Sequence, residues 1–162
     1  MEAVRGRLVR EPKPAPLHNR VQARLISLLD VYERAQHTGG AVLPETEFVL
    51  SVDPLTVRVP DVAWVSVGRI PANGCALPRW NLAPDLAAEV VSPRNTRVEL
   101  DERVTHFLVA GSRLVWVVDP RPRTVTVYQP GVEAVRLGVM DELGAGDVLP
   151  GISVPVLELF PE

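Results

Sequence analysis

The run RLVWVVDP, residues 113–120, constrains the fold of this chain more than any other segment. From Leu114 to Val118 every side chain is apolar, whereas a strand with one face in water would alternate apolar and polar residues. A strand of this kind is buried on both faces, which requires a sheet with further layers packed on each side. The segment therefore predicts the central strand of a layered fold.

Two helices are predicted ahead of this strand. The first spans about Asn19 to Gln36 and is ended by Gly39-Gly40, because apolar residues recur there at spacings of three and four. The second is capped by Asn95 or Thr96, runs to about Ala110 and is stopped by Gly111. The expected core face of the first helix is Leu17, Val21, Leu25, Leu28, Leu29 and Tyr32, and that of the second is Val98, Val104, Phe107 and Leu108.

The remaining segments are mostly strand-like and complete a mixed sheet with helices, of the α/β or α+β class. The residues from Arg121 to Gly131 alternate and predict a hairpin partner for the central strand. Residues 1–17 are expected to be an extended, Pro-rich lead-in to a single domain that spans residues 1–162. Further strands are predicted at 41–50, 56–67, 85–91, 133–139 and 152–159, with a loop from Gly68 to about Pro84.

Composition excludes several classes of protein. The 162 residues contain one cysteine, Cys75, which rules out an internal disulfide and a Cys-rich zinc site. We find neither an apolar run long enough to span a membrane nor an apolar segment typical of a signal peptide, and we expect a cytoplasmic protein. The net charge of −3 does not indicate nucleic-acid binding, although local charge still could. Lys13 is the only lysine, so a catalytic lysine is excluded outside the N-terminal segment.

The segment APDLAAEVVSP, residues 83–93, contains a carboxylate where a buried strand should be apolar. Glu89 lies within this strand, and a buried carboxylate is costly unless its charge is compensated. The preceding strand contains Asp61, and the two acids can converge if the strands pair at the usual spacing of about 5 Å. A divalent cation such as Mg²⁺ or Mn²⁺ would then relieve their repulsion. The alternatives are that Glu89 pairs with Arg103 and that Asp61 merely begins a strand.

These segments resemble a known family. VRVPDVAWV, APDLAAEVVSPRNT, a helix ending in FLVAG, RLVWVVDP and the C-terminal GDVLPGISVPVLELF together resemble the bacterial Uma-type family of "putative restriction endonucleases", within the PD-(D/E)XK nuclease superfamily. The resemblance runs from His18 to the end of the chain. It implies a restriction-endonuclease-like fold: a mixed central sheet flanked by helices, with additional C-terminal strands.

The resemblance also implies which residues act. Asp61 and Glu89 match the two acids of the superfamily motif, as catalytic residues and ligands of Mg²⁺ (or Mn²⁺), and the carbonyl of Val90 is an expected third ligand. Val91 stands where the motif has lysine. In this family the lysine resembles one moved to the following helix, where Glu99 and Arg103 are the matching positions. Arginine cannot act as a base, but it can stabilise charge on a phosphate.

The remaining candidates are weaker. Asp85 could hydrogen-bond a loop or reach a second metal ion, and His18 matches a histidine of the family pattern. Arg94 and Arg97 are candidate phosphate contacts, with a solvated helix start as the alternative. The resulting hypothesis is a Mg²⁺-dependent DNA endonuclease that acts as a homodimer and has no membrane partner. The main alternative is a degenerate nuclease fold that binds nucleic acid or another partner without cutting.

Overall fold

The structure, a computed structural model, describes residues 1–9 and 14–161. Its two α-helices are α1 (Pro16–Gln36) and α2 (Arg97–Ala110). The strands are β1 (Glu2–Val4), β2 (Arg7–Val9), β3 (Ala41–Pro44), β4 (Glu47–Val52), β5 (Leu55–Arg58), β6 (Val62–Val65), β7 (Arg79–Trp80), β8 (Leu86–Val90), β9 (Leu114–Asp119), β10 (Thr124–Gln129), β11 (Val132–Leu137), β12 (Glu142–Gly144) and β13 (Ser153–Pro155).

The strands form two mixed sheets and one small hairpin. The larger sheet has the order β11-β10-β9-β8-β6-β3, with β8 and β9 parallel and the other neighbours antiparallel. The second sheet has the order β2-β1-β5-β4-β7, and β12 pairs with β13. The fold is thus α+β, with a mixed central sheet and additional C-terminal strands, as predicted.

The central strand predicted from RLVWVVDP is confirmed as β9. On one face of the sheet α1 packs against a core that contains Leu86, Trp116 and Val118. On the other face Val115 and Val117 pack against Val104 and Phe107 of α2. Because each face of β9 is covered, its uninterrupted apolar sequence has a direct structural reason.

Both helices form close to their predicted positions, with differences at their ends. Helix α1 starts three residues early, because Pro16 occupies the first turn, where its missing N–H costs nothing. It ends at Gln36, before the glycines, because His37 adopts the left-handed conformation that closes the helix. Helix α2 is capped by Thr96 and ended by Gly111. Val98 is not in the core, since it lies in the first turn of α2 and is 78% exposed.

The single strand predicted over residues 56–67 is wrong. The chain forms β5 and β6 in different sheets, with a bend at Asp61 between them. Pro60 lacks an N–H and cannot continue a ladder. The carbonyl of Asp61 instead accepts hydrogen bonds from the Gln22 side chain at 2.9 Å and the Glu45 amide at 3.3 Å. Asp61 is therefore fixed at the entrance to β6 by contacts with α1 and with the residue after β3.

The N-terminal segment is not a simple extended lead-in. Residues 2–9 form the β1–β2 hairpin, whose turn residues Arg5 and Gly6 have φ of 48° and 76°. Two positive φ values match the turn that suits the twist of paired strands. Strand β1 continues the second sheet by pairing with β5 through Ala3 and Val57. Residues 10–13, the middle of the expected lead-in, lie outside the described residues, and Leu17 belongs to α1.

The C-terminal region matches the prediction in part. The expected strand at 133–139 is β11, while the one at 152–159 is only β13 followed by a 3-10 turn over Val156–Leu159. Pro155 ends β13 because it has no N–H for the ladder. Strand β12, the partner of β13, was not predicted. No helix in the described part of the chain is long and apolar enough to cross a lipid bilayer.

Candidate active site

Asp61 and Glu89 come together because β6 and β8 pair antiparallel. Val62 lies opposite Ala88, so the residue before Val62 and the residue after Ala88 are neighbours across the two strands. The carboxylate of Asp61 also reaches the β8 backbone, where its Oδ2 accepts a hydrogen bond of 2.7 Å from the Val90 amide. The sequence expectation that these two acids converge therefore matches the geometry.

The two acids face a pocket of about 460 Å³ that is rich in negative charge. Four carboxylates line it, from Glu2, Glu45, Asp61 and Glu89. The cationic or potentially cationic side chains on the same wall are Arg103 and His18. Because the carboxylates outnumber the cations in the described residues, the pocket attracts positive charge.

Glu89 is 4% exposed, and its partner in the structure is Arg103. Both carboxylate oxygens of Glu89 lie 3.0 Å from Nη2 of Arg103, and Nη1 of the same guanidinium donates to Oε2 of Glu2 at 2.8 Å. Arg58 donates to the same Glu2 oxygen at 2.8 Å, while Oε1 of Glu2 accepts from the Val59 amide. Arg103 thus bridges two buried acids, as the arginine alternative for Glu89 anticipated.

The Arg103 guanidinium does not fully compensate Glu89. Burial raises the pKa of Glu89 to about 8, Arg103 opposes this shift, and the charges of Asp61 and Glu2 add to it. A carboxylate in this setting binds a proton or a cation readily, because either one removes an uncompensated buried charge. A cation placed beside Glu89 would therefore offset part of this buried charge.

His18, on the first turn of α1, orients Asp61. Its Nε2 lies 3.2 Å from Oδ1 of Asp61, and the ring is 7% exposed. Burial lowers the pKa of His18, but the hydrogen bond and the negative charge of Asp61 outweigh it, so the pKa is raised overall. The imidazole therefore carries positive charge toward Asp61 over a wider pH range than an isolated histidine.

The donor set fits a hard divalent cation held by few protein ligands. The described residues contain no cluster of three or more His, Cys, Asp or Glu side chains that could form a complete metal cage. Mg²⁺, however, is usually bound through one or two carboxylates and keeps several waters. Asp61 and Glu89 supply two carboxylates on the wall of a pocket that is also lined by Glu2 and Glu45. Val90 lines the same pocket, although the contact seen with Asp61 uses its amide and not its carbonyl.

Asp85 and Glu99 have other roles in the structure. The Asp85 carboxylate accepts from the Ser66 amide and from Arg69, both at 2.8 Å, and it does not line the pocket. Of its two expected roles, the structure shows the loop hydrogen bond. Glu99 completes a capping box with Thr96 at the start of α2 and does not line the pocket.

The two candidate phosphate contacts differ. Arg97 is exposed and pairs with Asp101 one turn along α2, which is the solvated helix start weighed as its alternative. Arg94 is exposed and lines a second groove next to the first pocket. The two cavities share Asn95 and Arg103 in their walls. The structure therefore places Arg94, but not Arg97, beside the candidate site.

Sequence reasoning missed Glu2 and Arg58. Glu2 is 2% exposed and binds two arginines, yet it was assigned to the lead-in. The signal that could have located it is the segment EAVRGRLV, in which two short strand-like runs flank Arg5-Gly6. Arg58 was given no role from the sequence. Its Nε also donates to Nδ1 of His106 at 3.1 Å.

The fold and the site define a nuclease-like α+β protein of the restriction-endonuclease type: a mixed sheet covered by helices, with paired acids where β6 meets β8. The model of the Uma2 family, described as "Putative restriction endonuclease", matches residues 1–157. The chain belongs to this family.

No curated protein matches the chain. Among solved structures, a putative nuclease belonging to DUF820 from Anabaena variabilis ATCC 29413 aligns with a TM-score of 0.88 and 23% sequence identity. The alignment covers 98% of this chain and 88% of that one. At this identity the likeness establishes the shared fold.

Proposed function

We propose that this protein is an endonuclease that hydrolyses phosphodiester bonds of DNA with the help of Mg²⁺ or Mn²⁺. The observation that carries the proposal is the convergence of Asp61 and Glu89 on one wall of a negatively charged pocket, in a chain of the Uma2 family. Paired carboxylates in an accessible pocket are the donor set with which nucleases bind divalent cations.

Asp61 and Glu89 would hold the ion, with the Val90 carbonyl as a further oxygen ligand. A bound Mg²⁺ supplies polarisation of the phosphate and lowers the pKa of the attacking water. The residues of the chain position these groups. His18 holds Oδ1 of Asp61, the Val90 amide holds Oδ2, and Arg103 holds both oxygens of Glu89.

Arg103 acts by charge and position and not as a base. Its guanidinium stays protonated at all relevant pH values. It lines the pocket beside Glu89, where its positive charge would offset the negative charge that develops on the phosphate. Glu2 fixes the guanidinium from the other side at 2.8 Å, so Glu2 is a positioning residue for Arg103.

Cleavage assays test the proposal. Supercoiled plasmid, linear duplex and single-stranded DNA are incubated with wild-type protein and Mg²⁺ or Mn²⁺, and nicked and linear products are measured. We expect cleavage by wild type and none by Asp61→Asn or Glu89→Gln. Glu133→Gln is the matched control, because it makes the same chemical change at an exposed position on the edge strand β11 and should cut at the wild-type rate.

Metal binding is measured separately from activity. Electron paramagnetic resonance of added Mn²⁺ reports the fraction of ion bound without any substrate. Asp61→Asn and Glu89→Gln should each weaken binding at least tenfold, since each removes one of two charged ligands. Unchanged Mn²⁺ affinity in both variants would show that these acids do not form the metal site.

A second candidate function is nucleic-acid binding without hydrolysis. The observation that favours it is that the Arg103 guanidinium is engaged by Glu2 and Glu89. Lys13, the only lysine in the chain, lies outside the described residues. The variant Arg103→Lys separates the two functions. Cleavage by the lysine variant alone supports a degenerate nuclease, whereas cleavage by wild type that is lost in Glu89→Gln supports the enzyme.

The assembly and location belong to the same proposal. Cutting both strands of a duplex with one site per protomer requires two sites, so we propose a homodimer that acts on DNA in the cytoplasm. Sedimentation velocity with and without a duplex measures the assembly. A chain that stays monomeric in both conditions would limit the activity to nicking or to single strands.

A further inference from the structure

The second groove lies on the other side of Arg103 from the candidate active site. It has a volume of about 690 Å³ and runs between the β1–β2 hairpin and the start of α2. Arg5 and Arg7 of the hairpin and Arg94 of the loop before α2 line it. Because Asn95 and Arg103 line both cavities, the groove adjoins the pocket that holds Asp61 and Glu89.

Three of the five arginines that line the groove, namely Arg5, Arg7 and Arg94, are exposed and pair with no neighbouring acid in the described part of the chain. This distinguishes them from Arg34 and Arg97, which each pair with an aspartate one turn away. Exposed arginines without a partner are the groups that phosphate binds most readily, because no existing ion pair must be broken.

Two glutamates also line the groove, and both are engaged elsewhere. Oε2 of Glu99 accepts from the Thr96 amide at 2.8 Å as part of the helix cap. Oε2 of Glu102 lies 3.5 Å from Nη2 of Arg58, and its Oε1 lies 4.0 Å from Nε2 of His106. Even with both glutamates ionised, the five arginines in the lining outnumber the two acids, and the groove presents net positive charge next to an acidic pocket.

We propose that the β1–β2 hairpin and Arg94 form a phosphate-binding track for the DNA strand, holding backbone phosphates that flank the bond placed at Asp61 and Glu89. This inference rests on the proposed function. A negatively charged backbone is repelled by the carboxylates of the pocket, so its attachment needs an adjacent positive surface. The second groove supplies that surface beside the site, whereas Arg97 is directed to its own ion pair.

The track reads the backbone and not the bases. Arginine contacts with phosphate carry no sequence information and depend strongly on salt. Each phosphate contact contributes about −0.9 to the slope of log K against log salt on duplex DNA. Removing two arginines should therefore make the slope less steep by about 2, and removing one by about 1.

The experiment measures binding of a fluorescein-labelled duplex by anisotropy, in EDTA, over a series of salt concentrations. The hairpin variant is Arg5→Asn with Arg7→Thr, because asparagine tolerates the positive φ of Arg5 and threonine suits a strand. Arg94→Ala probes the same track from another element. The control is Arg34→Ala with Arg113→Thr, which removes two exposed arginines, one on the last turn of α1 and one before β9.

We expect at least a tenfold loss of affinity in the hairpin variant at low salt, a smaller loss in Arg94→Ala, and little change in the control. Circular dichroism checks that each variant is folded. Equal losses of DNA affinity in the hairpin and control variants, or an unchanged slope of log K against log salt, overturn the track. Neither result bears on DNA cleavage, which the cleavage assay tests separately. Binding with the expected slope changes in a protein that never cuts supports the track and rejects the hydrolase. No binding of duplex by wild type overturns both.

Discussion

Asp85 directly precedes the short strand β8, Glu89 is the penultimate residue of that strand, and each is almost fully buried, at 2% and 4% exposure. Burial raises the pKa of Asp85, but the Ser66 amide and Arg69 outweigh it, so this pKa is lowered overall. Burial raises the pKa of Glu89 to about 8, and Asp61 and Glu2 add to the shift. The two acids are four positions apart in the sequence, yet their pKa values are shifted in opposite directions.

The difference lies in what surrounds each acid. Asp85 accepts one backbone and one arginine hydrogen bond, and its partner Arg69 forms no ion pair with a second acid in the described part of the chain. Glu89 shares Arg103 with Glu2 and faces Asp61 across the strand pair. An acid whose charge is satisfied stabilises the fold, while one left partly unsatisfied is available to a proton or cation. Asp85, just before β8, thus has a structural role, whereas Glu89, near the end of the strand, is available for chemistry.

The largest expected effect separates the two acids by activity. Glu89→Gln should lower the rate of DNA cleavage about a thousandfold, because it removes a charged ligand from the proposed metal site. Asp85→Asn makes the same kind of change at the other end of β8 and should stay within a few-fold of wild type. Plasmid-nicking rates at saturating Mg²⁺ provide the measurement. Equal losses of cleavage rate in the two variants would show that Glu89 and Asp85 do not differ in their importance for activity.

The next effect concerns the stability of the Glu89 end. Glu2→Gln should lower the free energy of unfolding by about 3 kcal/mol, because it leaves two buried guanidiniums, Arg58 and Arg103, without their shared acid. Urea denaturation at pH 7 measures the loss. Glu158→Gln, a change on the 3-10 turn near the C-terminus, serves as the control and should change stability by no more than about 0.5 kcal/mol. If Glu2→Gln also changed the free energy of unfolding by no more than about 0.5 kcal/mol, the buried network around Glu2 would contribute little to the stability of the fold.

The pH dependence of stability should differ between the two acids in metal-free protein. Glu89 has a folded pKa of about 8, above its ordinary 4.5, so its contribution is full below about pH 4.5 and is lost as the pH rises through 8. Asp85 has a folded pKa below its ordinary 3.8, so its contribution is present above that value and is lost only in acid.

Urea denaturation in EDTA between pH 5 and 8.5 tests this difference. Glu89→Gln should remove a decline in stability of up to about 1.4 kcal/mol per pH unit, and Asp85→Asn should leave that decline in place. Comparison with wild type cancels the contributions of titratable groups that the substitution leaves in place, among them His18 and His106. A wild-type decline that persists in Glu89→Gln would assign it to another group.

The smallest effect separates the start of α2 from the chemistry. Thr96→Ala removes the side chain that accepts from the Glu99 amide and should cost about 1 kcal/mol of stability. Cleavage should change less than twofold, because Glu99 and Thr96 do not line the pocket. Thermal unfolding and nicking rates are measured on the same preparation. A large loss of cleavage activity without a loss of stability would show that the start of α2, where Thr96 contacts Glu99, takes part in the reaction.

The local sequence already determined much of this architecture. The continuous apolar run predicts β9, which is covered on both faces. The capping residue Thr96, the spacing of apolar residues and Gly111 predict α2 to within a few residues. These predictions succeed because strand burial, helix capping and helix termination depend on neighbouring residues. The family motif located Asp61, Glu89 and Arg103, and the structure brings all three to the wall of one pocket.

Tertiary structure alone decided the remainder of the site. Glu2 reaches Arg103 across 101 positions of sequence, and Arg58 reaches His106 across 48. No local pattern specifies such contacts, because they depend on how the β1–β2 hairpin and the second sheet pack against α2. Whether Asp85 or Glu89 keeps an uncompensated charge was likewise set by partners from distant elements, since the electrostatic surroundings of a buried acid are a property of the packed fold.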